Sequence, residues 1–294
     1  MKILNFVQQQ QVRLGIRLEQ GVIDVSAAAG KLGLSVPQNV HQVIDGGQEA
    51  VSSLALLIES TPTEWLLQED ELTLAPCVTH PGKIICVGLN YRKHAEETNA
   101  PIPQYPILFN KFNNTLSAHK DPISLPRVST KVDYEAELVI VIGKQAKYVA
   151  KEDALSHVFG YCNVNDLSAR DLQLRTNQWL LGKSCDGFSP LGPYLVTADE
   201  VGNPNDLSIR SIVNGEVRQS SNTSDMIFHC DEIVSYISQH MTLVPGDIIL
   251  TGTPEGVVLG YPEDKQVYLK DGDIVTIEIE KLGTLTNRMV AEQA

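Results

Sequence analysis

The feature that most constrains the fold is an apolar run with acidic residues at its start. The motif DYEAE at residues 133–137 leads directly into LVIVI at residues 138–142. Five successive apolar residues leave neither face of a strand polar, so the run predicts a strand covered on both sides. Side chains alternate along a strand, so Glu135 and Glu137 point to the same face, roughly 7 Å apart. A core strand therefore begins with two carboxylates that face the same way.

Two like charges beside a core repel each other and lose hydration. Either one carboxyl group is protonated or a cation lies between Glu135 and Glu137, and a divalent, oxygen-preferring metal ion is the simplest such cation. The alternative interpretation is that both glutamates lie on an exposed, solvated strand end.

A third acidic residue extends this hypothesis. Residues 160–166, GYCNVND, predict a short strand that ends at Asp166, and residues 168–173 predict the first turns of a helix. An aspartate at such a junction can face a site, but it can equally be an ordinary helix N-cap. Three carboxylates with open water positions would suit Mg²⁺ or Mn²⁺ and, less specifically, Ca²⁺.

Basic residues complete the chemical inventory. In a helical turn His94 and Glu97 would be neighbours at i and i+3, and a carboxylate beside an imidazole suits a general base; a charged surface turn is the alternative. Lys111 follows an apolar run, and Lys183 lies in a Gly-Lys-Ser sequence. A phosphate-binding loop is rejected because that motif requires glycine at position 177, which is Asn177.

The remaining pattern predicts an α+β fold that is mainly β. Apolar and polar residues alternate over residues 12–18, and helical spacing appears over 49–59 and 225–240. Proline, threonine and histidine cluster at 76–81 and Gly82 follows, which places a boundary between a small N-terminal α+β domain (1–75) and a larger domain (80–294). Later elements are mostly strands, which favours an antiparallel or mixed architecture over alternating βαβ units.

Composition limits the partners. The formal net charge of −13 disfavours nucleic acid and anionic membrane surfaces. No apolar run reaches the length of a transmembrane helix, and the N-terminus has no secretory h-region. The five cysteines form no CxxC pair, which is typical of reduced thiols. We therefore expect a cytoplasmic protein with a small-molecule ligand.

The order of these motifs is more specific than any one of them. VGLNY at 87–91, His94, DYEAEL at 133–138, NDLSARD at 165–171, residues 179–183 and TGTP at 251–254 together resemble the fumarylacetoacetate hydrolase superfamily. The resemblance spans roughly residues 83–290 and is strongest to the acylpyruvase-like and oxaloacetate decarboxylase-like branch. It implies a β-roll of mixed strands with a small N-terminal domain, assembled as a homodimer.

The resemblance also implies a site. It assigns Mg²⁺ or Mn²⁺ to Glu135, Glu137 and Asp166, and makes His94, Glu97 and Lys183 catalytic. The residues that it places around the substrate are Lys111, Arg170, Gln173 and Thr253.

The implied reaction is cleavage of a C–C bond in a small 2-oxo carboxylic acid through a metal-stabilised enolate, with His94 and Glu97 activating water. Decarboxylation of oxaloacetate, or isomerisation or decarboxylation of a 2-oxo-heptenedioate, would use the same site. A non-catalytic protein that binds a cation for stability is the alternative from another class.

Overall fold

The computed structural model describes residues 1–292, and strands make up most of its regular structure. The strands are β1 (Lys2–Gln8), β2 (Gln11–Leu18), β3 (Gly21–Asp24), β4 (Thr73–Ala75), β5 (Ile84–Gly88), β6 (Ile107–Lys111), β7 (Leu116–Ser117), β8 (Pro122–Leu125), β9 (Val132–Asp133), β10 (Ala136–Ile142), β11 (Val158–Asn165), β12 (Ser168–Ala169), β13 (Ser189–Thr197), β14 (Ser208–Val213), β15 (Glu216–Asn222), β16 (Ile248–Leu250), β17 (Ile274–Ile279) and β18 (Gly283–Ala291). The α-helices are α1 (Val25–Leu32), α2 (Val40–Ser60), α3 (Arg92–Glu97), α4 (Arg170–Gln173), α5 (Leu180–Lys183), α6 (Ala198–Val201) and α7 (Cys230–His240).

An eleven-stranded mixed sheet forms the centre of the molecule. Its main path runs β3-β2-β1-β13-β11-β10-β16-β5-β6, with β4 beside β1 and β7 beside β13. Strands β16 and β5 pair in parallel, whereas β10 pairs antiparallel with both β11 and β16. All seven residues of β10 are buried, which confirms the predicted strand covered on both faces.

A second sheet covers one face of the first. Its five strands run in the order β15-β14-β17-β18-β8 and contact β10, β11 and β13. Buried apolar residues such as Leu138, Ile140 and Ile277 fill the space between the two sheets. The α+β, mainly β class predicted from the sequence is thereby confirmed, and so is the mixed strand arrangement.

The N-terminal residues form the expected strands and helices. The alternating segment at 12–18 is β2, and the helix predicted at 49–59 is the second half of α2, which bends at Gly47, where φ is +52°. Strand β1 pairs with β13 at Lys2 and Ile3, so the central sheet continues across the predicted boundary at 76–81. The two-domain division stays a prediction.

The helix predicted at 225–240 begins later than expected. Helix α7 starts at Cys230, because two backbone amides that precede it donate hydrogen bonds to Asn90. The amide of Ile227 donates to the Asn90 carbonyl at 2.7 Å, and the amide of Phe228 donates to the Asn90 side chain at 2.9 Å. These long-range bonds hold residues 227 and 228 in a non-helical path, which helical spacing in the sequence does not reveal.

Candidate active site

The pairing of β10 with β11 brings the three predicted metal ligands together. Because these strands are antiparallel, the start of β10 lies beside the end of β11, and Ala136 pairs with Asn165. Glu135 and Glu137 flank Ala136, and Asp166 follows Asn165. One carboxylate oxygen from each acidic residue lies within 4.8 Å of the others, and all three side chains are buried. The predicted convergence of carboxylates is present.

Cations neutralise two of the three carboxylates. The ammonium group of Lys183 lies 2.7 Å from Glu135 Oε2 and 2.7 Å from Asp166 Oδ2. Arg170 adds a contact of 2.7 Å to Glu135 Oε1. Glu137 accepts a hydrogen bond of 2.8 Å from the amide of Gly252, and no lysine or arginine within residues 1–292 forms an ion pair with it.

The pKa values of the two glutamates differ for this reason. Burial alone would raise the pKa of Glu135, but Lys183 and then Arg170 outweigh that effect and lower it to about 2. Burial raises the pKa of Glu137 well above its usual range, and the nearby Asp166 and Glu135 carboxylates raise it further. Glu137 is therefore a buried carboxylate that lies beside two other carboxylates without an ion pair of its own in the described residues. Three hard oxygen donors and one unbalanced charge fit a divalent metal ion.

The predicted histidine–glutamate pair is also present. Helix α3 places His94 Nδ1 2.8 Å from Glu97 Oε1, and only 7% of His94 is exposed. A carboxylate accepts a hydrogen bond, so Nδ1 carries the proton and Nε2 keeps a free lone pair. The second oxygen of Glu97 accepts a 3.0 Å hydrogen bond from the amide of Gly256. The dyad is therefore anchored both to α3 and to the loop after β16.

A cavity of about 210 Å³ is lined by His94, Glu135 and Glu137, while Asp166 and Glu97 lie behind these residues. Phe109 and Trp179 form part of its apolar wall, with their rings edge to face at 5.3 Å. A side chain at Gly88 would collide with the Trp179 ring, so glycine is required for this close packing. The predicted site residues that line the cavity are His94, Glu135, Glu137, Arg170, Gln173, Lys183 and Thr253.

Lys111 does not line this cavity, and its predicted substrate-binding role stays a prediction. Its side chain has no exposed area, and its ammonium group contacts Asp166 Oδ1 at 2.5 Å and the carbonyl of Phe188 at 2.7 Å. These contacts put Lys111 behind Asp166 rather than among the residues around the cavity. An apolar approach along β6 predicts that a lysine is buried, but not which side of a carboxylate it reaches.

Sequence reasoning gave no role to Asp133, although it lies in the motif at 133–137. Its carboxylate is fully buried and pairs with Arg170, with Oδ2 2.9 Å from both Nε and Nη2. The period of two that linked Glu135 with Glu137 also includes Asp133, so that spacing was the available signal. With the three converging acids, Asp133 makes a group of four carboxylates around three cations, Lys111, Arg170 and Lys183, and Glu97 of the dyad is a fifth carboxylate of the site.

Comparison with known proteins identifies the family. The family described as fumarylacetoacetate (FAA) hydrolase C-terminal matches residues 83–290. The chain belongs to the fumarylacetoacetate hydrolase family. The segment matched is also the one over which the motifs show their resemblance, so the recognition made from the sequence is confirmed.

Relatives within the fumarylacetoacetate hydrolase family cover nearly the whole chain. The mitochondrial oxaloacetate tautomerase fahd2 of Xenopus laevis is 42% identical, over 95% of this chain and 86% of that protein. The fumarylacetoacetate hydrolase of psychrophilic Exiguobacterium antarcticum superposes with a TM-score of 0.85 at 35% identity, over 99% of this chain and 100% of that one. Maleylpyruvate hydrolase of Sphingobium sp. SYK-6, solved with manganese(II) and pyruvate, superposes with a TM-score of 0.82 at 30% identity and covers 100% of both chains.

These relatives are enzymes, and this protein is an enzyme of the same family. The predicted class of enzyme is confirmed at that level, and a purely structural cation-binding role is set aside. Within residues 1–292, every helix is too short or too polar to cross a membrane. The Xenopus relative is named as mitochondrial. The cytoplasmic location and the homodimer stay predictions for this chain.

Proposed function

We propose that the protein is a divalent-metal-dependent enzyme that interconverts the keto and enol forms of a small 2-oxo dicarboxylate of the oxaloacetate type. The observation that carries the proposal is the cavity that His94, Glu135 and Glu137 line together, with Asp166 beside the two glutamates and Glu97 hydrogen-bonded to His94. The 42% identity to an oxaloacetate tautomerase supports this choice of reaction. The cavity is smaller than the roughly 300–1,000 Å³ of sites for drug-sized ligands, which suits a small acid.

In this proposal Glu135, Glu137 and Asp166 hold Mg²⁺ or Mn²⁺. The manganese in the maleylpyruvate hydrolase structure supports a cation of this kind. When bound, such an ion acts as a Lewis acid and polarises an oxo group. It would also offset the local charge, because five carboxylates (counting Glu97) and three cations leave two negative charges, which a divalent ion balances. An anionic substrate then meets the ion and the Lys183 ammonium group instead of a net negative charge, although the protein as a whole is acidic.

The chain's own residues move the proton. His94 Nε2 faces away from Glu97 and is free to take a proton from the carbon beside the oxo group, and Glu97 stabilises the imidazolium that results. Lys183 lines the cavity and can donate a hydrogen bond to the oxygen on which negative charge develops. Return of a proton to that oxygen completes an isomerisation in which no bond between heavy atoms breaks.

Hydrolytic C–C cleavage, the reaction first expected from the sequence, is the second candidate. The same His94 could deprotonate a water molecule, and the maleylpyruvate hydrolase match favours this chemistry. Decarboxylation of oxaloacetate would use the same cavity without an attacking water.

One assay separates the three reactions. The purified protein, stripped with a chelator and dialysed, is mixed with MgCl₂ or MnCl₂ and either oxaloacetate or an acylpyruvate. Ultraviolet absorbance follows the enol, and coupled lactate dehydrogenase follows pyruvate release. We expect metal-dependent loss of enol faster than any release of pyruvate. Faster pyruvate release would identify the decarboxylase or hydrolase instead, and inertness towards all these acids would refute a 2-oxo acid substrate.

A further inference from the structure

Asp133 is a carboxylate of the site that neither lines the cavity nor belongs to the three converging acids or the dyad. It ends β9, is 0% exposed, and accepts hydrogen bonds from three backbone amides as well as pairing with Arg170. A buried charge with this many donors is held in a fixed position. Every partner of Asp133 outside its own turn belongs to an element that forms the site.

The first connection runs through Arg170. Asp133 Oδ2 lies 2.9 Å from both Nε and Nη2 of the guanidinium. The guanidinium is planar and rigid, so fixing one edge fixes the other. The third guanidinium nitrogen, Nη1, donates a 2.9 Å hydrogen bond to Gln173 Oε1. Because the amide oxygen of Gln173 is held by Arg170, its NH₂ group is turned the opposite way, and Gln173 lines the cavity.

The second connection runs through the loop after β16. The amides of Val258 and Leu259 donate to Asp133 at 2.9 and 3.1 Å, which fixes the 3₁₀ turn Val258–Gly260. This turn packs against the carboxylate group of Glu97. A Cβ atom at Gly260 would lie 2.5 and 2.7 Å from the two carboxylate oxygens of Glu97. The position of the turn therefore limits where the Glu97 carboxylate can lie.

We infer that Asp133 is a positioning residue that fixes, from one buried point, both the Glu97 side of the dyad and the substrate-facing amide of Gln173. Asp133 touches neither the cavity nor any reacting atom, so it acts only through Arg170 and the turn at 258–260. Its importance for turnover rests on the proposed function. Its effect on the dyad does not, because the geometry of His94 and Glu97 exists without substrate.

The test compares Asp133→Asn with Asp247→Asn. Asp247 is a matched control, because it is also 0% exposed and pairs with a cation, Lys83 at 2.8 Å, but it lies outside the cavity lining. Both variants lose one buried negative charge. Long-range ¹H–¹⁵N correlation spectra of the magnesium-loaded protein without substrate report the tautomer of each imidazole, and His94→Ala assigns the His94 signals.

For wild type and Asp247→Asn we expect the His94 tautomer with the proton on Nδ1. For Asp133→Asn we expect a mixture of tautomers and a fall in kcat of about 10- to 100-fold, the range found when supporting partners of site residues are removed. If Asp133 acts through the dyad, the fall should be smaller in a Glu97→Gln background. A wild-type tautomer and kcat in Asp133→Asn, with thermal stability lowered as in Asp247→Asn, would reduce Asp133 to a structural ion pair and overturn the inference.

Gly260→Ala provides the second variant in case Asp133→Asn does not fold. The atoms that the added methyl group meets are at the end of the flexible Glu97 side chain, so the chain can fold while Glu97 moves. We expect the same change of His94 tautomer, and a wild-type spectrum would refute the role of the turn. If wild-type protein turns over no 2-oxo acid, the proposed function fails while the tautomer spectra still decide the role of Asp133.

Discussion

Replacing Glu137 by glutamine separates metal binding from folding more cleanly than any other change in the carboxylate cluster. Glu135 and Asp166 pair with buried cations, so neutralising either breaks a buried ion pair, which typically costs about 3–5 kcal/mol. Glu137 has no such partner in the part of the chain that the structure describes. Glutamine has the same shape and can still accept the hydrogen bond from Gly252.

The magnitude follows from mass action. An ion that binds only the folded chain stabilises it by about 2.7 kcal/mol at about 100 times its Kd. Chains of about 150–250 residues gain about 2–4 °C in Tm for each kcal/mol, and this longer chain lies near the lower limit. We therefore expect saturating Mg²⁺ or Mn²⁺ to raise the Tm of wild type by about 5 °C. Glu137→Gln should lose this shift, and its metal-free Tm should equal or exceed that of wild type.

Calorimetric melts of chelated and metal-loaded protein provide the measurement. Glu59→Gln is the matched control, because Glu59 is exposed on α2 and its replacement should leave the metal shift unchanged. If Glu137→Gln keeps the full shift, the ion does not lie among the three carboxylates. If its metal-free Tm falls by as much as a broken buried ion pair predicts, Glu137 is paired in a way that the structure does not show.

Three further outcomes are expected. Because the pKa of Glu137 is raised, the folded metal-free chain holds this proton more tightly than the unfolded chain. The free energy of unfolding of wild type should therefore fall relative to that of Glu137→Gln as the pH rises above 4.5. Urea unfolding across pH measures both values, and a rise for wild type relative to the variant would contradict the prediction. His94→Ala should reduce turnover by about 10²–10⁴-fold yet keep the metal-induced rise in Tm, whereas the exposed His240→Ala should change neither; full activity of His94→Ala would exclude it as the base. Lys111→Met should destabilise the metal-free protein by about 3–5 kcal/mol in urea unfolding, and adding Asp166→Asn should recover part of the loss; an unchanged midpoint would show that the buried pair is not the main role of Lys111.

Much of the site could be predicted because its chemistry is local in the sequence. The period of two places Glu135 and Glu137 together, and the apolar run behind them requires a buried strand. The spacing of three residues in a helical turn brings His94 to Glu97. Such relations depend only on the geometry of one strand or one turn, so they hold before the rest of the chain is placed.

Other contacts could not be predicted because they join distant parts of the chain. Gly256 donates to Glu97 across 159 residues, and Val258 donates to Asp133 across 125. The start of α7 also depends on a distant residue, since the amides of Ile227 and Phe228 donate to Asn90 and hold these residues outside the helix. No periodicity in a sequence records which loop reaches which side chain.

The types of charge, their spacing along each element and the need to bury β10 all follow from the order of the residues. The packing of distant segments places Lys111 behind Asp166, leaves Glu137 without a cation in the described chain, and connects Arg170 with the turn at 258–260 through Asp133. The physical reason is that backbone geometry fixes short-range neighbours. The partner of a buried charge, by contrast, is chosen when separate strands and loops pack together and each lost contact with water must be replaced.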